Sequence, residues 1–162
     1  VRMVTYMIKK FMLILIALLI LSSTALAKPT ITADKTYFDI TTGLYNLEGN
    51  VYIEAGSRII TAGTARVNMA TLEVTGLGGI TVNDGDIKFS GDSVFVSGAQ
   101  SKADITGNII FLRKDLTITA DQVTFNWKTK EALFTGHVEV KKDKDTKTYE
   151  SVKYNVVTDT IL

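Results

Sequence analysis

Few side chains in this sequence are equipped for chemistry. His137 is the only histidine and there is no cysteine, so disulfides, thiolate metal sites and Cys–His nucleophiles are excluded, and a zinc centre lacks donors. His137 follows a glycine at an outward strand position and reads as a solvated surface residue. "NDGD" at 83–86 resembles the start of a calcium loop, but no EF-hand pattern follows it, and a polar turn accounts for it. "KKDKDTK" at 141–147 mixes signs; it reads as a solvated loop, with contact to lipid phosphates as the alternative. Trp127, alone of its type, caps a core near a strand end. No Ser, His and Asp set shares a setting suited to nucleophilic catalysis. One series is left: Asp34, Gly63, Asp92, Asp121 and Glu150 are each 29 residues apart. No basic series accompanies it and small residues flank it, so turn or bulge chemistry is expected there rather than catalysis.

The elements that carry this series repeat with it. Gly49, Gly78, Gly107 and Gly136 share the 29-residue spacing. "ITADKTYFDITTGLYNLEGNVYI" (31–53) and "ITADQVTFNWKTKEALFTGHVEV" (118–140) agree at 8 of 23 positions. A fixed period in this range marks stacked units, none of which buries its own apolar face alone. Each unit holds two segments of period two, the pattern of strands with one apolar face. In the second segment Tyr45, Leu47, Gly49, Val51 and Ile53 alternate with polar residues, and the later units follow suit. In the first segment the phase slips at the acidic position: Ile118 and Ala120 share one parity, Val123, Phe125 and Trp127 the other. A slip of one residue is the signature of a β-bulge. Bulges in register curl a sheet. Short polar joints ("TTG" 41–43, "NDGD" 83–86, "KTK" 128–130, "KKDKDTK" 141–147) separate the segments. Helical periodicity is absent after residue 27, which predicts an all-β domain over 28–162 with about nine strands. A fifth unit starts at Glu150 and stops before its glycine, the pattern of either an exposed terminal half-unit or a truncated sequence.

Residues 1–27 read as an address. Lys9 and Lys10 precede eleven apolar residues, Phe11 to Leu21, and Ala25-Leu26-Ala27 supplies an A-x-A site that would leave Lys28 first. This is a secretory signal, with an uncleaved anchor as the alternative. Without it the chain has 15 basic and 17 acidic residues, a net charge of −2, which gives no bulk attraction to nucleic acid.

The "ITAD…VTFNWKTKEALFTGHVEV" unit and its upstream copy resemble the OstA-like family. That group includes the periplasmic lipopolysaccharide-transport protein LptA and related domains of LptC and LptD. The resemblance spans about residues 31–162. It implies a twisted, open antiparallel β-jelly roll that carries lipopolysaccharide acyl chains in an apolar groove and joins sister domains, or copies of itself, end to end through terminal strands. It implies no enzyme activity, no metal and no cofactor. Family members usually have a longer C-terminal portion, which puts the C-terminal docking edge in question.

The inward apolar face gives the candidate lipid contacts. In the early units these are Phe38, Leu47, Val51, Val67, Ile80, Phe89 and Val96. In the later ones they are Ile105, Ile109, Phe111, Ile118, Val123, Phe125, Phe134 and Val138. Small inward residues (Ala33, Ala62, Ala65, Gly91, Ala103, Ala120, Ala132) leave room between facing walls. Each lipid methylene buried there contributes about 0.8 kcal/mol, so ten give roughly 8 kcal/mol before ordering costs. The partner edges are expected at Ile31, Ala33 and Phe38 and at Val152, Tyr154 and Val156, where unpaired strands invite β-augmentation. Three alternatives share parts of this pattern: an LptC-like anchored component, an exported β-solenoid that stacks with a dry interior and no lipid, and an enzyme on a β-helix scaffold. The last would need clustered carboxylates or cations at matching repeat positions.

Overall fold

The computed structural model describes residues 30–162 apart from Gly56; the leader assigned to 1–27 lies outside the described residues. From Thr30 the chain is strand after strand. β1 (Thr30–Thr32) and β2 (Lys35–Asp39) lie end to end along β3 (Leu44–Ala55). β4 (Arg58–Asn68) pairs with β3, and β5 (Glu73–Leu77) and β6 (Ile80–Asp84) lie end to end along β4. β7 (Ile87–Gly91) pairs with β6 and β8 (Ser93–Ser97) with β5, and both border β9 (Lys102–Arg113). β10 (Leu116–Asn126), β11 (Glu131–Lys142), β12 (Asp145–Asn155) and the short β13 (Thr160–Ile161) complete an antiparallel meander. Joined across their breaks, β1/β2, β5/β6 and β7/β8 are single ribbons. The 13 strands are then nine long ribbons plus β13, as the alternation predicts.

Each ribbon bends at its middle. There the Gly-x pair of one ribbon, Gly49-Asn50, Gly78-Gly79, Gly107-Asn108 or Gly136-His137, takes positive φ at both residues, for example +83° and +48° at Gly107 and Asn108. The sequence pattern places the surplus residue at the aspartates. In the structure the side-chain parity does flip there, but the surplus residue of the ladder is on the neighbouring strand. Ala120 faces Ile109 and Gln122 faces Thr106, so Gly107 and Asn108 oppose Asp121 alone. Two consecutive left-handed residues are what a strand needs to turn this corner, and glycine takes the first at no steric cost.

The aspartate completes the corner. A Cβ on Gly107 would land on the Asp92 carboxylate, and one on Gly136 on that of Asp121. The carboxylate fills the space the glycine leaves and accepts a hydrogen bond from the residue after it. Asn50 Nδ2 donates to Asp34 at 2.9 Å, Asn108 Nδ2 to Asp92 at 2.8 Å, and His137 Nδ1 to Asp121 at 2.7 Å. Where Gly63 replaces the aspartate, it meets the backbone of Gly78 directly. The two ladders are therefore one device, a clasp between adjacent ribbons. Stacked clasps form a spine.

The spine divides every ribbon between two walls. The first wall carries Val51, Ile80, Phe89, Ile109, Phe111, Ile118 and Val138; the second carries Leu47, Ala65, Val96, Ile105, Val123, Phe134 and Tyr154. Opposite the spine the walls end in rows of hairpins, at 55–58, 84–87, 113–116 and 142–145 on the first wall and at 39–44, 68–73, 97–102, 126–131 and 155–160 on the second.

Candidate functional site

The candidate site is the interior between the walls. Over its C-terminal part the walls touch. Phe111 of the first wall has its ring 5.8 Å from Phe134 and 5.2 Å from Tyr154 of the second. Phe89 lies 4.7 Å from Phe111 and stacks on Phe134 at 6.3 Å with planes 11° apart. Such offset and tilted contacts add to area burial. The expected lining residues Ile80, Ile105, Ile109, Ile118, Val123 and Val138 join these rings in one core, and Phe125 packs against it half-buried. Leu47 and Val51 belong to a smaller cluster with Ala65, against which Ile31, Ala33, Ile53 and Ala62 pack. Val67 and Val96 are buried in the second wall near its turns. Phe38 is 43% exposed, with its ring 4.7 Å from Tyr45. The interior is thus tightest around Phe111 and loosest at the N-terminal end.

Leu116, Val140 and Val152 are also in the core; Val140 continues the inward alternation of Ala132, Phe134 and Val138, whereas Leu116 was not singled out from the sequence. Tyr154, expected at a partner edge, points inward and is fully buried.

Burial puts the Tyr154 hydroxyl under the seam between the hairpin rows. There Arg113, at the end of β9, meets the end of β12. Its Nη1 donates to Tyr154 Oη at 3.1 Å and to the Val156 carbonyl at 2.6 Å, and its Nε to Asp86 at 3.2 Å. Tyr154 donates in turn to Asp159, and Lys114 Nζ stands 3.7 Å from the same carboxylate. β9 and β12 are separated in the sheet by β10 and β11, so these bonds span the interior instead of following a ladder. Burial, reinforced by the Asp159 bond, pushes the Tyr154 hydroxyl up to about 12. The Tyr154 hydroxyl and the nearby cations hold Asp159 below the usual carboxylate range. The signal for Arg113 was in the alternation: it continues the inward parity of Ile109 and Phe111, and a cation at such a position needs a partner.

The carboxylates of "NDGD" are engaged by guanidinium groups. Asp84 accepts from Arg58 Nη2 at 2.6 Å and from Ser57 Oγ at 2.8 Å, Asp86 from Arg113. Burial raises the Asp84 carboxyl, but its bonds with Arg58 and Ser57 outweigh this and leave it below its ordinary value.

At the two ends of the sheet, β1 and β2 pair with β3 on one side, and among the described residues no strand pairs with them on the other. β12 is bordered by β11 and, at Tyr154 and Asn155, by β13; Leu162 N also donates to Lys153 O at 2.8 Å. Val152 is buried inward and Val156 N donates to Lys130 O at 3.0 Å. The stretch Asp145–Ser151 is exposed throughout.

A meander of bent ribbons folded into two facing walls is the open β-jelly roll of the LptA-like fold. Among solved structures the chain is similar to LptH of Pseudomonas aeruginosa, the LptA-homologous periplasmic component of the lipopolysaccharide transport device, with a TM-score of 0.53 and 16% identity over 60% of this chain and 75% of that one. No family model matches the sequence. No curated protein matches it either.

Proposed function

We propose that this chain is a non-enzymatic periplasmic lipid carrier that holds acyl chains of lipopolysaccharide between its two walls. On this reading its terminal strands join it to LptC-like or LptD-like domains or to further copies. The observation that supports the reading best is how the walls are joined. Strand pairing and clasps hold them along the spine, while inside, the Arg113 bonds apart, they meet through apolar side chains. Parting them breaks no ladder hydrogen bond, and an acyl chain between them offers each wall an apolar surface in place of the other. The shared fold with a periplasmic lipopolysaccharide-transport component points the same way.

The test is in-cell photocrosslinking with photoreactive residues at Phe125, Phe134 and Val138, and at the exposed Glu139 as the outward control. Adducts with lipopolysaccharide at the three inward sites and none at Glu139 are expected. Their absence at all three sites sinks the reading.

One observation favours a second reading. The contact of Phe111 with Phe134 and Tyr154 suits a stacking module with a dry interior and no lipid. Such a module would assemble through its edges and give no inward adducts under any condition.

A further inference from the structure

Among the described residues, no position one unit from Arg113 carries a second guanidinium. Asp84 occupies its place one unit earlier and Lys142 one unit later. Its side chain is only 14% exposed, and its fork is divided between the two walls. Asp86 belongs to the hairpin beside it on the first wall; Tyr154 and Val156 belong to the second. Directly beneath are the rings of Phe111 and Tyr154, 5.2 Å apart. A largely buried guanidinium shared in this way holds together the ends of two surfaces that otherwise meet through apolar contacts, and charged hydrogen bonds are the stronger kind.

We propose that Arg113, with Tyr154, the Val156 carbonyl, Asp86 and Asp159, is a latch that closes the seam at the C-terminal end and must release before an acyl chain reaches the aromatic interior. The inference rests on the lipid-carrier reading and adds to it a gate. In the closed state the rings of Phe89, Phe111, Phe134 and Tyr154 fill the space an acyl chain would take. In the open state the guanidinium gives up its second-wall partners, and the walls are free to part about the spine as a chain enters. Lys114, 3.7 Å from Asp159, reinforces the closed state from the exposed side. The gate acts on rate: the fraction of molecules competent to load equals the fraction unlatched, and loading speeds up in proportion as the latch weakens.

The test uses the chain without its leader and 11-(dansylamino)undecanoic acid, a fluorescent fatty acid, in stopped-flow mixing. Arg113→Ala is expected to raise the observed association rate about tenfold, the response of a mostly closed population to loss of a dominant closed-state contact. Tyr154→Phe and Asp159→Asn remove single members and should give smaller rises in the same direction; they carry the test if Arg113→Ala does not fold. The opposite perturbation exploits the absence of cysteine. Lys114→Cys with Asp159→Cys, joined by a short bis-maleimide, ties the two hairpin rows together and should abolish uptake, while the unjoined double variant takes up probe. If the wild type loads but the loosened variants load no faster, or the joined chain loads as fast as the unjoined one, the latch is refuted and carriage stands. If neither wild type nor loosened variants bind the probe and Phe134 gives no lipid adduct, the carrier reading fails and the latch goes with it.

Discussion

Phe111→Ala measures directly how far the two walls are pressed together. The ring is fully buried and lies 4.7, 5.8 and 5.2 Å from those of Phe89, Phe134 and Tyr154. A ring of this size buries roughly 150–200 Å², which at about 25 cal/mol per Å² is roughly 4–5 kcal/mol for the whole side chain. Truncation to alanine in a core that does not collapse costs about 3–5 kcal/mol. A domain of this length loses about 3–4 °C per kcal/mol, so the midpoint should fall by about 9–20 °C. The assay is urea unfolding of wild type and variant followed by circular dichroism, with a thermal melt as a second readout. The comparison variant is Phe38→Ala, whose ring is 43% exposed; it should cost about 1 kcal/mol or less. A loss under about 1.5 kcal/mol for Phe111→Ala would mean that the ring faces a void or solvent on one side, and that the walls do not mesh.

The spine makes two further predictions. Gly136→Ala forces a Cβ onto the Asp121 carboxylate at φ +77°, whereas Gly85→Ala meets nothing within 4 Å at φ +61°. Both incur the left-handed penalty of about 1 kcal/mol, so Gly136→Ala should be the more destabilising by at least about 1 kcal/mol in urea, and equal losses would refute the clasp. The His137–Asp121 pair should titrate. The Asp121 hydrogen bond raises the imidazole above its ordinary 6.5, so the pair's contribution is complete below pH 6.5 and fades as pH climbs through the raised folded value. His137→Asn restores the residue found at Asn50 and Asn108 and should flatten that part of the stability–pH curve. An NMR titration of His137 at or below 6.5 would refute the pairing.

How much of this was legible depended on what each ladder is made of. The Asp and Gly ladders stood out because few residues substitute there: only glycine tolerates the corner with a carboxylate above it, and a carboxylate suits that space. Two other ladders of the same period went unseen. Asp39, Asn68, Ser97, Asn126 and Asn155 each start a turn on the second wall with a side-chain oxygen that accepts from backbone N–H groups two or three residues on, such as Asn126 Oδ1 from Lys128 and Thr129. Their shared property is an acceptor oxygen, which three residue types provide equally. Gly43, Leu72, Ser101, Lys130 and Asp159 close the same turns with positive φ. They share only a backbone conformation and no side-chain chemistry, so no residue pattern announces them. The inward face was readable by parity, because the pleat alternates strictly. Whether that face was a trough or a packed core was not, since parity says which way a side chain points and nothing of how near the opposite wall stands. Tyr154 and Arg113 mark that boundary: each lies on the inward parity, and each acquires its role from a ribbon three places away in the sheet.

Closed walls and lipid carriage are compatible only if opening and loading are coupled. Parting the walls would bare about half the area of Phe89, Phe111, Phe134 and Tyr154, which costs roughly 2 kcal/mol per side chain if water fills the gap, about 8 kcal/mol together. Burying ten methylenes returns about the same. If water entered first, the cost of opening would become a barrier. If a chain slides in as the walls part, each ring exchanges one apolar neighbour for another and the cost is never incurred in full. This favours a guest arriving along the interior over one arriving through the seam, and it gives the two ends different tasks. At the N-terminal end Ile31 and Ile53 are half-buried and Phe38 is exposed, so apolar surface is already presented to whatever pairs with β1 and β2. At the C-terminal end the Arg113 bonds hold the walls closed. A spine of ladder pairing and clasps, a seam without ladder bonds and a polar tie at one end together make a hinge whose resting state is shut.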